Sequence, residues 1–258
     1  MSIPRDFPDG AVFVYGGSGG IGSGVAREFA RAGTAVAIGY RAGRERAERL
    51  ADEIRALGVA ASVHPVDVRE RAQVVAAFAA AVAAHGRIHT VVWGAGPVVP
   101  QQPISTWDEA TFRESMHIEA FGFASAVHAA LGHMREQGGG SFVHLGSAGH
   151  DWWPQLDGLS VVPKAANEAL VKGIAKEEGR HEIRANSILV GVIDAGQFKT
   201  GQAAGTFTPE WEAAVKAMLP LKRWGQARDI GQAAVFLASE RANYVTGQTI
   251  SVAGGFGV

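Results

Sequence analysis

The chain has 258 residues, 47% of them apolar and 19% charged, with a formal net charge of −1. That length and balance describe one sizeable globular unit and give no basis for a nucleic-acid or membrane-surface partner. No cysteine is present, which excludes disulfides and thiol catalysis and agrees with a cytoplasmic location.

The opening residues, Met1-Ser2-Ile3-Pro4-Arg5-Asp6, lack the apolar run of a secretion signal. A first predicted strand, Ala11–Tyr15, is continuously apolar, as suits a strand covered on both faces. It runs into Tyr15-Gly16-Gly17-Ser18-Gly19-Gly20-Ile21-Gly22 and a predicted helix over 20–32. Glycines there allow a tight turn and close backbone approach, and the amides at the helix start suit phosphate. A flexible turn that binds nothing is the alternative; its place in the first strand–helix unit favours a dinucleotide.

The second predicted strand, Ala35–Gly39, continues into Tyr40-Arg41, with Arg44 opening a helix over 44–57. No Asp or Glu stands there to hold a ribose 2′-hydroxyl, so NADP(H) is favoured over NAD(H), unless both arginines are simply solvated. A third strand, Ala60–Pro65, leads to Asp67-Val68, where Asp67 meets adenine, caps the next helix, or both. That helix, over 70–85, holds the longest apolar stretch, Val74 to Ala84, which is too short to span a bilayer. Further on come strand Thr90–Trp93, helix 107–136, strand Ser141–Leu145, helix 162–181 and strand Arg184–Val190. Gly191–Leu221 is irregular and reads as a lid; helix 227–239 and strand Thr249–Val252 close the chain. The rhythm predicts a single α/β domain over 1–258, a Rossmann-type doubly wound parallel sheet of about seven strands flanked by helices.

These residues resemble the short-chain dehydrogenase/reductase family over essentially the whole chain. The family's Gly-x-x-x-Gly-x-Gly loop matches Gly16, Gly20 and Gly22, and its Asp-Val pair matches Asp67 and Val68. Its Asn-Ala-Gly appears as Gly94-Ala95-Gly96, and Gly140–Ser147 looks like its fifth strand, ending on the catalytic serine. Gly191 falls on the glycine of its Pro-Gly motif, with Val190 for the proline and Ala195 for a later threonine. The tail from Arg223 to Gly255 is a specific match. The resemblance implies a nicotinamide cofactor held by Gly16, Ser18, Gly20, Ile21, Gly22, Tyr40, Arg41, Asp67, Val68, Gly94, Ala95, Gly96, Lys164, Gly191 and Ile193. It also implies a small-molecule carbonyl or alcohol substrate, no metal, and assembly as a homo-oligomer, dimer or tetramer.

In the family an Asn, Ser, Tyr and Lys act together. Here Ser147 and Lys164 remain, Tyr is replaced by Ser160, and the Asn is read as His117. A phenol near pKa ~10 can be tuned to trade protons at neutral pH, whereas an aliphatic hydroxyl is a far weaker acid. The enoyl-reductase branch places its Tyr seven residues before Lys, which is Asp157 here. Tyr15 and Tyr40 are assigned to the nucleotide site and Tyr244 to the last turn. If 160–164 begin a helix, Ser160 and Lys164 share a face and Pro163 falls in the first turn. His117 then serves as acid–base beside Lys164, or packs within its own helix; His150 and Asp151 are second candidates. Trp93, Trp152, Trp153, Phe198 and Trp211 suggest a bulky aromatic or alicyclic substrate, or an ordinary core. Three functions follow: an NADP(H) oxidoreductase with an altered site, an inactive subunit supporting an active relative, or a non-redox dehydratase, isomerase or lyase.

Overall fold

A computed structural model describes residues 6–258; the residues before Asp6 in the opening segment lie outside the described part. Seven parallel strands form one sheet in the order β3-β2-β1-β4-β5-β6-β7. They are β1 (Ala11–Tyr15), β2 (Ala35–Tyr40), β3 (Ala61–Pro65), β4 (Ile88–Trp93), β5 (Gly140–Leu145), β6 (Ile183–Val190) and β7 (Thr249–Val252). Every residue of β1 and β4 is buried, so their apolar runs are explained by cover on both faces. On one side pack α1 (Gly20–Arg31), α2 (Arg44–Ala56) and α9 (Ala227–Ala238), with Val25, Phe29, Ile54 and Ile230 in the core. The other side is covered by α3 (Arg71–His85), α5 (Gly122–Glu136) and α6 (Gly158–Glu178), through Phe78, Phe123 and Val171. Strand order reverses between β1 and β4, and a doubly wound sheet binds its ligand at that crevice.

Three local departures from the sequence reading shape the site. The helix expected over 107–136 is broken into α4 (Glu109–Met116), a π turn (His117–Phe121) and α5. Asp108 caps α4, accepting the Thr111 amide at 2.8 Å. At Gly122 a side chain would lie 2.8 Å from the Trp93 ring, so only glycine lets the helix close onto β4 there.

Helix α6 starts at Gly158, not 162, and Pro163 sits in its second turn rather than its first. Proline has no N–H to give the carbonyl four residues back. That carbonyl, on Leu159, is instead met by the Ser115 hydroxyl at 2.6 Å. The hydroxyl fills the hydrogen bond the proline removes, and it ties α4 to α6 beside the expected site.

The segment 191–221 is an insertion with structure of its own, holding α7 (Gln197–Ala203) and α8 (Pro209–Met218). Phe198, Phe207 and Trp211 pack ring against ring inside it, and Phe198 meets Trp224 just beyond it edge-on. Phe198 therefore serves this segment's own core. Trp93, expected at the substrate pocket, is fully buried in the sheet against Tyr15 and Phe123. Trp152 and Trp153 are exposed. Among the described residues, no helix is long and apolar enough to cross a membrane.

Candidate functional site

The glycine-rich turn joins β1 to α1 at the crevice. Gly16 has φ +73°, a left-handed conformation that a side chain would strain, and a Cβ there would lie 2.6 Å from the Gly94 carbonyl. A Cβ on Gly22 would lie 2.2 Å from the Gly16 carbonyl, so the turn and helix close on each other without side chains. Gly19, at the N-cap of α1, offers no side-chain cap, which leaves the first-turn amides of Gly20, Ile21 and Gly22 for an anion. This cradle fits the pyrophosphate of a dinucleotide. The loop after β6 reaches the same place: a Cβ on Gly20 would meet the Gly196 amide nitrogen at 2.2 Å. Gly191 and Ile193 lead into that loop, which is pinned by the Asp194 amide donating to the Gly225 carbonyl at 2.8 Å.

At the end of β2, Arg41 is exposed and Arg44 pairs loosely with Glu48 at 3.5 Å. Tyr40 is buried in the core beside α2. Asp67, after β3, accepts the Arg69 backbone amide at 3.1 Å and its side chain at 2.9 Å. The Arg69 guanidinium, assisted by the charge of Arg41, holds the Asp67 carboxyl down to about 2. Arg69 also bridges to Glu114 at 3.0 Å, so the end of the crevice beyond β3 carries a fixed charge network that the sequence analysis does not identify.

The face of α6 toward the crevice carries Asp157, Ser160 and Lys164. Lys164 Nζ lies 3.5 Å from Ser160 Oγ and donates to Glu119 Oε1 of the π turn. Glu119 is 1% exposed, and its Oε2 is buried without a hydrogen-bond partner. Gly96 closes the group from the other side: a Cβ there would lie 2.5 Å from Glu119 Oε1 and 3.7 Å from Lys164 Nζ. His117, expected beside Lys164, is exposed and packs edge-on against Phe121 at 6.0 Å. The residue beside Lys164 is Glu119, two positions after His117. The π turn inserts an extra residue per turn, and the inward position falls to Glu119. Gly122, three residues on and forced by Trp93, is the sequence signal that fixes this register.

Tyr15, read as a nucleotide residue, is instead a core residue, its ring 4.3 Å from Phe13 and its hydroxyl pushed well above the usual range by burial. Tyr244 is fully exposed. No phenol in the chain therefore reaches Ser160 or Lys164.

Ser147, two residues after β5, accepts the Gly149 amide at 3.1 Å, capping a short 3-10 turn. His150, three residues on, pairs through Nδ1 with Glu168 of α6, one turn beyond Lys164. Behind them His144 is fully buried, 2.9 Å from Ser187 Oγ and 3.4 Å from the Asn167 amide. Burial, with the charge of Lys164, keeps its imidazole neutral, down to about 3. Asn167 also donates to the Glu119 backbone carbonyl at 3.2 Å, so the π turn is bonded to α6 from below.

The family model described as enoyl-(acyl carrier protein) reductase matches residues 16–257. The chain belongs to the short-chain dehydrogenase/reductase family. It is 32% identical over 255 residues to the A-factor type gamma-butyrolactone 1′-reductase of Streptomyces virginiae, covering 96% of this chain and 95% of that one. A short-chain type dehydrogenase/reductase from Mycobacterium ulcerans superposes with a TM-score of 0.89 at 33% identity, over 97% of this chain and 90% of the other. A 7α-hydroxysteroid dehydrogenase, solved with NADH and 7-oxo glycochenodeoxycholic acid, gives 0.87 at 29%, over 95% and 93%. This short-chain dehydrogenase/reductase is thus an oxidoreductase by family, and the 7α-hydroxysteroid dehydrogenase among its structural relatives is solved with NADH. Glu119 and Gln101 (which reaches Asp157) are, with Arg69, Glu114 and Asn167, site residues that the sequence analysis does not single out.

Proposed function

We propose that this short-chain dehydrogenase/reductase is an NADP(H)-dependent enzyme that interconverts a carbonyl and an alcohol on a small molecule, through an altered proton-transfer site. The observation that carries the reading is that the uncapped start of α1 and the Lys164 cluster meet at one crevice, through Gly94 and Gly96. Gly16, Gly20, Ile21 and Gly22 hold the pyrophosphate, with Ser18 in the same turn, and Asp67 and Val68 lie at the adenine. Lys164 orients the nicotinamide ribose, Gly94 to Gly96 form the floor, and Gly191 and Ile193 the roof. When bound, the reduced nicotinamide supplies a hydride to the carbonyl carbon. Ser147 and Ser160 place the carbonyl oxygen. With Trp93 and Phe198 buried, support for a bulky substrate rests on the exposed Trp152 and Trp153. A homo-oligomer in the cytoplasm is the assembly and location that go with this reading.

Arg41 supports NADP(H), because its exposed guanidinium suits a 2′-phosphate. Arg41→Ala is expected to weaken NADPH binding about ten- to a hundredfold, the worth of one charge-assisted hydrogen bond, and to leave NADH binding within about twofold. Fluorescence transfer from tryptophan to the nicotinamide reads both affinities. Equal loss for the two cofactors, or none for NADPH, contradicts the assignment.

A second reading is favoured by the Lys164–Glu119 pair, which ties up the lysine in the described state. An inactive subunit beside a relative with the full tetrad would tolerate that pairing. Co-purification of such a relative supports it, and a homo-oligomer that turns over alone rejects it.

A further inference from the structure

With no phenol in the crevice, a carbonyl reduction here needs another proton donor. Ser160 is too weak an acid, Lys164 is engaged by Glu119, and His117 faces away. Asp157 heads α6, three residues before Ser160 and seven before Lys164, so the three side chains share one face of that helix. It occupies the N-cap position but makes no side-chain cap bond. One carboxyl oxygen, Oδ1, instead accepts from Gln101 Nε2 at 2.7 Å. Two indoles roof the spot: a Cβ on the next residue, Gly158, would lie 2.4 Å from the Trp107 ring and 2.8 Å from that of Trp153. The group is half-buried, with a route to solvent.

We propose that Asp157 is the catalytic acid–base of this enzyme, exchanging a proton with the substrate oxygen that Ser147 and Ser160 position. The inference rests on the oxidoreductase reading above. Burial pushes the Asp157 carboxyl up, and this outweighs the opposite pulls of the Gln101 bond and the Lys164 charge. The charged groups that face it are Lys164 from its own helix and, behind Lys164, Glu119 of the π turn. The loop before α4 contributes the neutral amide of Gln101. Because Glu119 offsets the Lys164 charge, the field that would hold Asp157 ionised is weakened. Burial and the Glu119 charge thus both favour the protonated form of the carboxyl on the α6 stripe.

The balance is that of a carbonyl reduction. A bound reduced nicotinamide would supply the hydride with its electron pair and would itself be oxidised. The carbonyl carbon takes the hydride, and the C=O π pair moves to oxygen. That oxygen takes the Asp157 proton to become the alcohol, and the carboxylate regains a proton from solvent. Reduction then needs the protonated carboxyl and slows as pH rises through its pKa; oxidation needs the carboxylate and slows as pH falls.

Asp157→Asn keeps the shape and the Gln101 contact but cannot exchange the proton. It is expected to lower the rate of hydride transfer by about a hundredfold or more, to remove that limb of the pH–rate profile, and to leave NADPH affinity unchanged. Asp157→Glu is expected to recover part of the rate with the limb restored. In the cofactor-free wild type, carbon NMR of labelled aspartate, assigned by the signal missing in Asp157→Asn, is expected to show this carboxyl titrating above the exposed aspartates. An Asn variant with the wild-type rate and profile overturns the proposal, as does a carboxyl that titrates with the surface set. A wild type that transfers no hydride to any carbonyl defeats the oxidoreductase reading and this inference together. A wild type that turns over while Asp157→Asn matches it defeats the inference alone.

Discussion

Lys164→Met is expected to destabilise the protein by about 3–5 kcal/mol, the cost of leaving a buried charge without its partner, and to abolish hydride transfer. Glu119 is 1% exposed, and Lys164 is the cation it meets. Its second oxygen has no hydrogen bond among the described residues, and Asn167 meets only its backbone carbonyl, so removing Lys164 leaves the carboxylate without a partner. Such a group must protonate, draw in water, or open the π turn. The double variant Lys164→Met/Glu119→Gln separates the two effects. It is expected to regain most of the lost stability, since no buried charge remains, but no activity, since the ribose-orienting amine is still gone. Denaturant unfolding of the wild type and both variants measures the first effect, and hydride transfer the second. A single variant as stable as the wild type would show that Lys164 and Glu119 are not a buried pair in solution.

Ser160→Tyr is expected to raise the rate of carbonyl reduction about ten- to a hundredfold, within the range of a positioned acid–base group. Ser160 lies one helical turn from Lys164, at 3.5 Å from Nζ, so a phenol there comes under the influence of a cation. The same change makes Asp157 dispensable: Ser160→Tyr/Asp157→Asn is expected to keep most of the gained rate. Ser160→Phe, which fills the same space without a hydroxyl, is expected to give no gain. Steady-state rates of the three variants decide the matter. A Tyr variant no faster than the Phe variant would mean that proton supply does not limit this enzyme.

The sheet was legible because each strand is a short apolar run bounded by glycine or a polar turn. β1 and β7 fall where the residues predict, and the others within two residues. The glycine-rich turn was legible for a related reason, since Gly16 and Gly22 stand where backbones nearly touch. The corner around Lys164 was not. A helical period carried straight through 107–136 hides a π turn, and with it the inward placement of Glu119. Pro163 hid the true start of α6, because the Ser115 hydroxyl that compensates for it comes from a distant part of the sequence. Trp93 reads alike as pocket or core, and only the closure of Gly122 on its ring assigns it to the core. Each miss depends on a contact between segments far apart in sequence, which periodicity and spacing do not carry.

The most direct test of the central claim is label transfer from NADPH carrying deuterium at the hydride position to a panel of small ketones and aldehydes, with the product alcohols read by mass spectrometry. Deuterium on the carbinol carbon, formed by the protein alone and lost in Lys164→Met, is the predicted result. A protein that binds NADPH yet moves no deuterium to any carbonyl, while a co-purifying relative does, would contradict it.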